Sequence, residues 1–473
     1  MPQIKFGTDG WRSLVAEDFT FGNVRLLAQA IADHVNDKDC SGEGIVVGYD
    51  NRFLSKEFAE AVGGVLAGNS IPVFISPRAI PTPVVAFSIK TFRTCGGVMI
   101  TASHNPPEYN GIKFIPEYAG PAMPDETDKI EEKIKKITDS KDICAITKSQ
   151  AIERGLWREI DPVMEYNEHV KGLVDTTAIR NAGLKIVVDP LYGAGIGYLE
   201  EILGNLGCSV ETIHGYRDPL FGGGMPDPGE KNLVLLRKKV LDSGAHLGLA
   251  LDGDADRFGI IDSNGEFLNP NEILFLLFVH LARTRKKGKC VARTVATTHM
   301  LDKVASFYDM ELMETPVGFK YIGQCLLRDG CILGGEESGG MSIDGHVPEK
   351  DGILGSMLVA ELVAAEGKSL KEIQKEFFAE FGALKSIRAD LLVEQGKKNG
   401  ILEQLKNYSP TFLAGKEVIK ENRIDGLKLI CSDGSWVLVR ASGTEPIFRI
   451  YVEAGSTEDL QGIQRQVRDD LGI

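Results

Sequence analysis

A short apolar run, a break rich in Gly, Pro or Thr, and then a helical pattern recur three times along the chain. The apolar runs begin at Gly44, Lys185 and Cys290, and helices are expected from about Ser55, from Gly193 to Leu206 and from His299 to Phe307. Strands that alternate with helices in this way predict parallel or mixed sheets covered by helices. The threefold recurrence predicts repeated α/β domains.

The C-terminal part of the chain has a different pattern. Residues 435–440 and 448–453 read as two strands around a glycine-containing turn, and a helix is expected from about Thr457. The second strand alternates apolar and polar residues, which is typical of a strand with one buried face. This part is therefore predicted to be a smaller α+β domain.

Length and charge exclude several classes of protein. The 473 residues allow two to four domains at about 150 residues each. The net charge of −14 disfavours a nucleic-acid partner. The longest strongly apolar stretch, Ile273–Val279, is far shorter than the roughly 20 residues of a membrane helix, and the N-terminus lacks a signal-peptide pattern. The eight cysteines include no Cys-x-x-Cys pair, so we expect reduced thiols and a cytoplasmic location.

Three carboxylates alternate in one loop, Asp252, Asp254 and Asp256, after an apolar run. In an extended loop alternate side chains point the same way, and like charges so close together favour a bound cation. Oxygen ligands favour Mg²⁺ or Ca²⁺. A calcium-binding EF-hand requires Gly and Glu where this loop has Arg257 and Ser263, so that interpretation fails. The loop predicts a Mg²⁺ site with room for a phosphate oxygen, and a solvated acidic turn is the alternative.

A second polar segment, Thr101–Pro106, follows an apolar run and contains Ser103 and His104. Ligands of α/β sheets bind at strand ends, so this serine is a candidate reactive group. A polar turn with Ser103 as a helix cap is the alternative. A Ser-His hydrolase is disfavoured because adjacent residues cannot easily face each other in an extended loop. In addition, no Gly-x-Ser-x-Gly elbow surrounds the serine.

Two glycine-containing loops could bind parts of a ligand. In residues 334–340, four glycines surround Glu336 and Ser338, which suit sugar hydroxyls, although a flexible turn is the alternative. Residues 440–446 combine an arginine, two hydroxyls and a glycine turn that could cradle an anion, with a plain hairpin turn as the alternative. Residues 193–198 lack the third glycine of a dinucleotide fingerprint, and no P-loop motif occurs.

Taken together and in this order, these segments resemble the α-D-phosphohexomutase family, which includes phosphoglucomutases and phosphomannomutases. The segment Phe6–Arg12 resembles the family's N-terminal signature, and the resemblance spans nearly the whole chain. It implies three similar α/β domains with mixed sheets and a smaller C-terminal α+β domain around a central cleft. The implied boundaries are residues 1–160, 161–264, 265–383 and 384–473.

The resemblance also implies a role for each motif. Ser103 is implied to be the phosphorylated serine and, with Asp252, Asp254 and Asp256, a ligand of Mg²⁺. The other implied catalytic residues are Arg12, His104 and Lys113. Implied substrate-binding residues are Arg257, Thr315, Gly318, Lys320, Glu336, Ser338, His346 and Lys350. Implied phosphate-binding residues are Arg440, Ser442, Gly443, Thr444 and Arg449.

The implied reaction is an intramolecular phosphoryl transfer in hexose phosphates, with Mg²⁺ and a hexose 1,6-bisphosphate that primes the serine. Residues 335–340 and 346–352 look more like the phosphoglucomutase side of the family, and residues 315–320 point the same way. Phosphomannomutase or dual specificity is the alternative, and phosphoglucosamine mutase a lesser one. A metal-dependent phosphatase and a non-catalytic sugar-phosphate-binding protein are hypotheses from other classes. The expected partners are small hexose phosphates, with neither nucleic acid nor membrane, and the expected state is a monomer or homodimer.

Overall fold

The computed structural model contains four β-sheets in succession along the part of the chain that it describes. It describes residues 4–7, 9–285, 288–328, 330–394, 396–441 and 447–473. The first three sheets mix parallel and antiparallel strands, and the fourth is antiparallel throughout. The predicted fold class, three mixed α/β domains and a smaller C-terminal α+β domain, is confirmed.

The first sheet has six strands in the order β1-β5-β4-β2-β3-β6. They are β1 (Trp11–Leu14), β2 (Ile45–Tyr49), β3 (Val73–Ile75), β4 (Gly96–Ile100), β5 (Tyr109–Pro116) and β6 (Trp157–Glu159). The accompanying helices are α1 (Phe21–Asn36), α2 (Ser55–Gly68), α3 (Thr82–Phe92), α4 (Pro124–Lys136) and α5 (Lys148–Glu153). Strands β2 and β4 are parallel neighbours and are buried along their whole length, as expected where helices cover both faces.

The second sheet has the order β11-β10-β9-β7-β8. Its strands are β7 (Lys185–Asp189), β8 (Ser209–Thr212), β9 (Leu247–Leu251), β10 (Phe258–Asp262) and β11 (Phe267–Leu268). The helices of this region are α6 (Val163–Gly172), α7 (Thr176–Ala182), α8 (Tyr198–Asn205) and α9 (Val234–Ser243). Because β11 pairs with β10, this sheet extends beyond the predicted domain boundary at residue 264.

The third sheet has the order β13-β12-β14-β15. Its strands are β12 (Cys290–Thr294), β13 (Glu311–Thr315), β14 (Cys331–Gly335) and β15 (Met341–Ile343). Its helices are α10 (Pro270–Thr284), α11 (Met300–Phe307), α12 (Phe319–Leu326), α13 (Gly352–Glu366) and α14 (Leu370–Phe381). Helix α13 is buried over most of its length and contacts strands of both the second and the third sheet. It thereby joins the cores of the two domains.

The fourth sheet has the order β16-β21-β20-β19-β18-β17. Its strands are β16 (Lys385–Leu392), β17 (Phe412–Leu413), β18 (Lys416–Asn422), β19 (Leu427–Cys431), β20 (Trp436–Ala441) and β21 (Ile447–Ala454). Its helices are α15 (Lys398–Asn407) and α16 (Thr457–Leu471), and the latter begins where the sequence predicts.

Two local predictions differ from the structure. The helix after β7 begins at Tyr198 instead of Gly193, because residues 193–197 form a glycine-rich loop that packs against the loop after β9. A side chain at Gly193 would lie 2.8 Å from the carbonyl oxygen of Gly253. Strand β21 is buried on both faces, since Tyr451 and Glu453 pack toward the third domain.

The prediction of eight reduced cysteines is wrong. Cys40 and Cys95 form a disulfide with Cα atoms 5.3 Å apart, and the other six cysteines are free. The two residues precede the neighbouring strands β2 and β4, and a backbone hydrogen bond from Cys95 to Gly44 brings the segments together. Among the described helices, none is long and apolar enough to cross a membrane.

Candidate active site

Three of the predicted loops leave the carboxyl ends of central strands. The serine loop, residues 101–106, follows β4. The metal loop, residues 252–257, follows β9, and the sugar loop, residues 336–340, follows β14. Ligands of α/β sheets bind at these strand ends. The fold therefore presents the predicted motifs at positions suited to ligand binding.

Ser103 lies directly against the metal loop. Its hydroxyl donates a hydrogen bond to Asp252 Oδ2 at 2.8 Å, and its side chain is almost completely buried. The backbone at Ser103 has a φ of +51°, a left-handed conformation that is uncommon for residues other than glycine. A hydrogen bond from its backbone N–H to Thr101 Oγ1, 2.8 Å, stabilises this turn.

The turn at Ser103 brings its side chain next to that of His104, which the sequence argument on adjacent residues did not predict. His104 Nδ1 lies 3.2 Å from Ser103 Oγ, although the two residues are adjacent. The loop is not extended, and the left-handed backbone at Ser103 brings the two side chains together. The positive charge of Arg257, then burial and Arg12, lower the pKa of His104 well below its usual value. The imidazole is therefore neutral at pH 7.

Arg52 binds the backbone of the serine loop and was not among the predicted site residues. Its buried guanidinium donates hydrogen bonds of 2.6–3.0 Å to the carbonyl oxygens of Ser103, Asn105, Pro106 and Tyr109. It also pairs with the buried Asp50, whose carboxylate accepts a hydrogen bond from Thr101. An Asp-x-Arg segment at the end of the apolar strand β2 is the signal that could have identified it.

The aspartate triad of the metal loop is buried and fits a cation. Oxygen atoms of Asp252, Asp254 and Asp256 all lie within 4.8 Å of one another. The Oδ1 atoms of Asp254 and Asp256 are buried without a hydrogen-bond partner among the described residues. Burial and the two neighbouring carboxylates raise the pKa of Asp252 well above its usual value. Orphaned carboxylate oxygens and repulsion between carboxylates suit a hard divalent ion such as Mg²⁺.

Two buried lysines lie beside the triad. Lys113 Nζ is 2.9 Å from each of Asp9, Asp254 and Asp256, and Lys350 Nζ is 3.4 Å from Asp256. Burial opposes the charge of Lys113, but the three carboxylates raise its pKa well above the usual value. The structure therefore brings together Lys113, Lys350 and the triad, as the sequence predicted for one site.

Two further acids lie in this cluster and were not among the predicted site residues. Asp9 is 3.3 Å and Glu349 is 3.0 Å from Lys350 Nζ. Burial raises the pKa of Glu349 to about 7. Burial also opposes ionisation of Asp9, but Lys113, Lys350 and Arg12 hold its pKa well below the usual range. Asp9 lies in residues 6–12 and Glu349 in residues 346–352, two segments that resemble the family. Their carboxylates were the feature from which a role could have been predicted.

Two arginines add positive charge near Ser103. Arg12 Nη1 donates to Asn105 Oδ1 at 2.7 Å, which holds it at the serine loop. The Arg257 backbone N–H donates to Asp252 Oδ1 at 3.1 Å, and its Nε is 3.8 Å from Asp256. Cations at these positions suit a phosphoryl group on the serine.

The sugar loop contacts the segment that follows β13. Glu336 is buried and accepts a 2.8 Å hydrogen bond from the backbone N–H of Gly318. Burial, then repulsion from Glu337, raises the pKa of Glu336 to about 7. Thr315 and Lys320 lie on either side of Gly318 in the sequence, and burial lowers the pKa of Lys320. The structure thus brings Gly318 and Glu336 together, while Ser338 is half-buried in the same loop.

His346, a predicted substrate-binding residue, lies in a buried hydrogen-bond network. Its ring is fully buried, with Nε2 2.8 Å from Asp351 Oδ2 and Nδ1 3.0 Å from His169 Nε2. Asp351 caps helix α13 and also accepts a hydrogen bond from Tyr166. Both ring nitrogens are engaged in this network, so His346 is a structural residue between α6 and α13.

The phosphate loop, residues 440–446, is only partly described. Arg440 and Arg449 face each other across β20 and β21. Arg440 Nε donates to Asp425 Oδ2 at 2.8 Å, and Arg449 Nε is 3.8 Å from Asp390. Ser442, Gly443 and Thr444 lie outside the described residues, so their predicted roles remain predictions.

Comparison with known proteins agrees with this architecture and site. Family models of phosphoglucomutase/phosphomannomutase match in chain order: domain I at residues 3–141, domain II at 164–265, domain III at 269–381 and the C-terminal domain at 397–470. The chain therefore belongs to the phosphoglucomutase/phosphomannomutase family, within the α-D-phosphohexomutases. These enzymes are isomerases that transfer a phosphoryl group, and the predicted enzyme class is confirmed.

Individual relatives carry different substrate names. A phosphoglucomutase/phosphomannomutase of Thermococcus kodakarensis is 33% identical, over 96% of this chain and 95% of the relative. A phosphoglucosamine mutase of Carboxydothermus hydrogenoformans is 32% identical, over 96% of both chains. The open form of the phosphoglucomutase parafusin from Paramecium has a TM-score of 0.84 at 25% identity, with 100% of this chain and 95% of that chain covered. The names agree on the class of enzyme and differ on the sugar.

Proposed function

We propose that this enzyme interconverts glucose 1-phosphate and glucose 6-phosphate through a phosphorylated Ser103 and a glucose 1,6-bisphosphate intermediate. The observation that carries the proposal is the contact between Ser103 Oγ and the aspartate triad, 2.8 Å from Asp252. A phosphoserine at this position has cations on the neighbouring Arg12 and Arg257 and carboxylates that suit a metal.

Asp252, Asp254 and Asp256 would hold Mg²⁺, together with an oxygen of the phosphorylated Ser103. The ion, when bound, neutralises charge on the transferring phosphoryl group. Arg12 and Arg257 supply further positive charge, since a phosphoserine carries about −1.5 to −2 at neutral pH. The chain therefore offsets the charge of the phosphoryl group from several sides.

In the first step the bond between Ser103 Oγ and phosphorus breaks, and phosphorus bonds to the free hydroxyl of the hexose phosphate. That hydroxyl gives its proton to a neighbouring base, and the serine oxygen that loses phosphorus takes up a proton to become a free hydroxyl. The bisphosphate then turns round, and the other phosphoryl group returns to Ser103. In this return step the serine proton can pass to His104 Nδ1, which is neutral and 3.2 Å away. Glu336 and Ser338 would hold sugar hydroxyls, and Arg440 the phosphate that is not transferred.

The choice of glucose rests on the sugar loop and on residues 346–352, which look more like phosphoglucomutases. Phosphomannomutase or dual specificity is the second candidate, because the relative at 33% identity carries both names. Glucosamine phosphate is the third candidate substrate, because the relative at 32% identity is named a phosphoglucosamine mutase. The cytoplasmic location, the hexose-phosphate partners and the monomeric or dimeric state remain predictions.

The test is a mutase assay with Mg²⁺ and glucose 1,6-bisphosphate. It compares kcat/KM for the 1-phosphates of glucose, mannose and glucosamine. We expect the highest value for glucose 1-phosphate. Similar values for glucose and mannose would establish dual specificity, and a preference for mannose or glucosamine would overturn the proposed substrate. Free phosphate released in step with sugar turnover would instead identify a phosphatase.

Ser103→Ala tests the role of the serine. We expect a loss of at least about 1,000-fold in kcat, because the covalent carrier is absent. Intact mass after incubation with glucose 1,6-bisphosphate should show one phosphoryl group on the wild type and none on this variant. Ser409→Ala, at an exposed position of the C-terminal domain, is the matched control and should behave as the wild type. Full activity of Ser103→Ala, or a wild type that accepts no phosphoryl group, would contradict the mechanism.

A further inference from the structure

Asp425 links two binding loops that belong to different domains. Its Oδ2 atom accepts a hydrogen bond from Arg440 Nε at 2.8 Å and another from the backbone N–H of Val317 at 3.0 Å. The next residue, Gly318, donates its own N–H to Glu336 at 2.8 Å. A continuous chain of contacts therefore runs from the phosphate-loop arginine to the sugar-loop glutamate through the peptide at 317–318.

The turn that carries Asp425 is fixed against its own sheet. It connects β18 to β19, and Gly426 follows the aspartate with a φ of +92°. A side chain at Gly426 would lie 2.4 Å from the carbonyl oxygen of Val439 in β20. Only glycine permits this close approach together with this backbone conformation. Asp425 is thus held close to β20, the strand that carries Arg440.

The same turn is attached to the third domain on both sides of Asp425. Asn422 donates to Glu314 at 2.7 Å, and the buried Lys428 donates to the carbonyl oxygen of Val295 at 2.7 Å. An apolar cluster beneath them joins Val295, Ala296 and Val317 of the third domain to Trp436, Leu438 and Tyr451 of the fourth. The turn therefore lies in a packed interface, where its position is defined relative to both domains.

The hydrogen bond from Arg440 Nε to Asp425 determines the orientation of the Arg440 guanidinium. A guanidinium is planar, so a carboxylate bound at Nε fixes the plane in which the terminal nitrogens lie. Those nitrogens are the groups that bind phosphate with good geometry. The bond to Val317 at the same time holds the loop on which Gly318 contacts Glu336.

We propose that Asp425 is a positioning residue that orients Arg440 and links it to the loop that contacts Glu336. A hexose phosphate must place its phosphate on one of these residues and its hydroxyls on the other. Asp425 therefore maintains the position of the phosphate subsite in the fourth domain relative to the sugar subsite in the third. This inference rests on the proposed function of Arg440 and Glu336 as substrate-binding groups.

Kinetics of Asp425→Ala provide the first test. We expect KM for glucose 1-phosphate to rise about 10-fold while kcat changes less than about threefold, because substrate binding is weakened more than the chemical step. Asp433→Ala is the matched control, since this aspartate of the same domain pairs with Lys416 and Ser435. A change in kcat alone, or an equal change in the control, would overturn the proposal.

A double-mutant cycle separates positioning from general structural damage. If Asp425 acts in part through Arg440, Asp425→Ala should raise KM by a smaller factor in an Arg440→Ala background than in the wild type. Independent effects would multiply, and that result would overturn the proposal.

Hydrogen exchange tests the contact without any activity. The amide of Val317 should exchange faster in Asp425→Ala than in the wild type or in Asp433→Ala, because its acceptor is lost. Unchanged exchange would overturn the link between the domains. If the wild type turned over none of the three hexose phosphates, the proposed function would fail. The exchange result would then decide separately whether Asp425 holds the loop.

Discussion

Ser103 is held in a backbone conformation that its own side chain does not favour. Its φ of +51° is maintained by contacts from residues distant in sequence, above all by Arg52. Residues with unfavourable backbone geometry persist where the surrounding structure fixes them, and they are common at active sites. The reactive serine thus depends on a buried arginine that contacts its loop from the opposite side.

Arg52→Met removes that support. We expect the free energy of unfolding to fall by about 3–5 kcal/mol, because Asp50 is left as an unpaired buried charge and loop carbonyls lose their donors. Urea denaturation measures the change. Arg154→Met, at an exposed position, should lie within about 0.5 kcal/mol of the wild type. Equal stability of Arg52→Met and the wild type would show that the arginine does not support the loop.

The loops after β4 and β9 meet backbone to backbone. At Gly253 an added Cβ would lie 2.5 Å from the carbonyl oxygen of Ser103, so the two loops leave no room for a side chain. This contact sets the distance between the serine hydroxyl and Asp252. The sequence predicted both loops and their strands, because each motif follows its own apolar run. It did not reveal the contact between them, which depends on the packing of two domains.

Gly253→Ala separates the two loops. We expect kcat/KM to fall about 100-fold or more, because a displacement near 1 Å at reacting groups has that effect. Steady-state kinetics with a parallel measurement of Tm would show the loss in a folded protein. Gly204→Ala, in α8 with open space around it, should keep full activity. Wild-type activity in Gly253→Ala would contradict the close contact of the loops.

At the scale of the whole molecule, the sequence predicted the order of the domains and most of the site. Ser103, Lys113 and the aspartate triad come together as the motifs indicated. Arg52 and Asp425 were missed because each acts on residues that only the tertiary structure brings near it. His346 was misplaced for a related reason. The motif gives its position in the chain, but its ring pairs with Asp351 and His169 in a buried network.

The interface between the third and fourth domains contains a buried lysine, Lys428, whose ionisation makes the stability of the fold depend on pH. Burial, then repulsion from Arg293, lowers the pKa of Lys428 to about 7 from an unperturbed value of 10.5. Between these two pH values the folded state binds fewer protons than the unfolded state, so stability attributable to this group rises with pH.

Lys428→Met should remove that pH dependence. Between pH 7 and pH 9 we expect the Tm of the wild type to rise relative to that of the variant. Lys406→Met, at an exposed position, should follow the wild type at both pH values. A constant difference in Tm between Lys428→Met and the wild type would show that the pKa of Lys428 is not lowered.

The central claim is that Ser103 carries the phosphoryl group between the two forms of the sugar. Rapid-quench transfer from a ³²P-labelled phosphoenzyme to unlabelled glucose 1-phosphate tests it directly. We expect the label to leave a peptide that contains Ser103 and to appear in glucose 1,6-bisphosphate at a rate no slower than kcat. Label on another residue, or its release as inorganic phosphate at the turnover rate, would contradict the account.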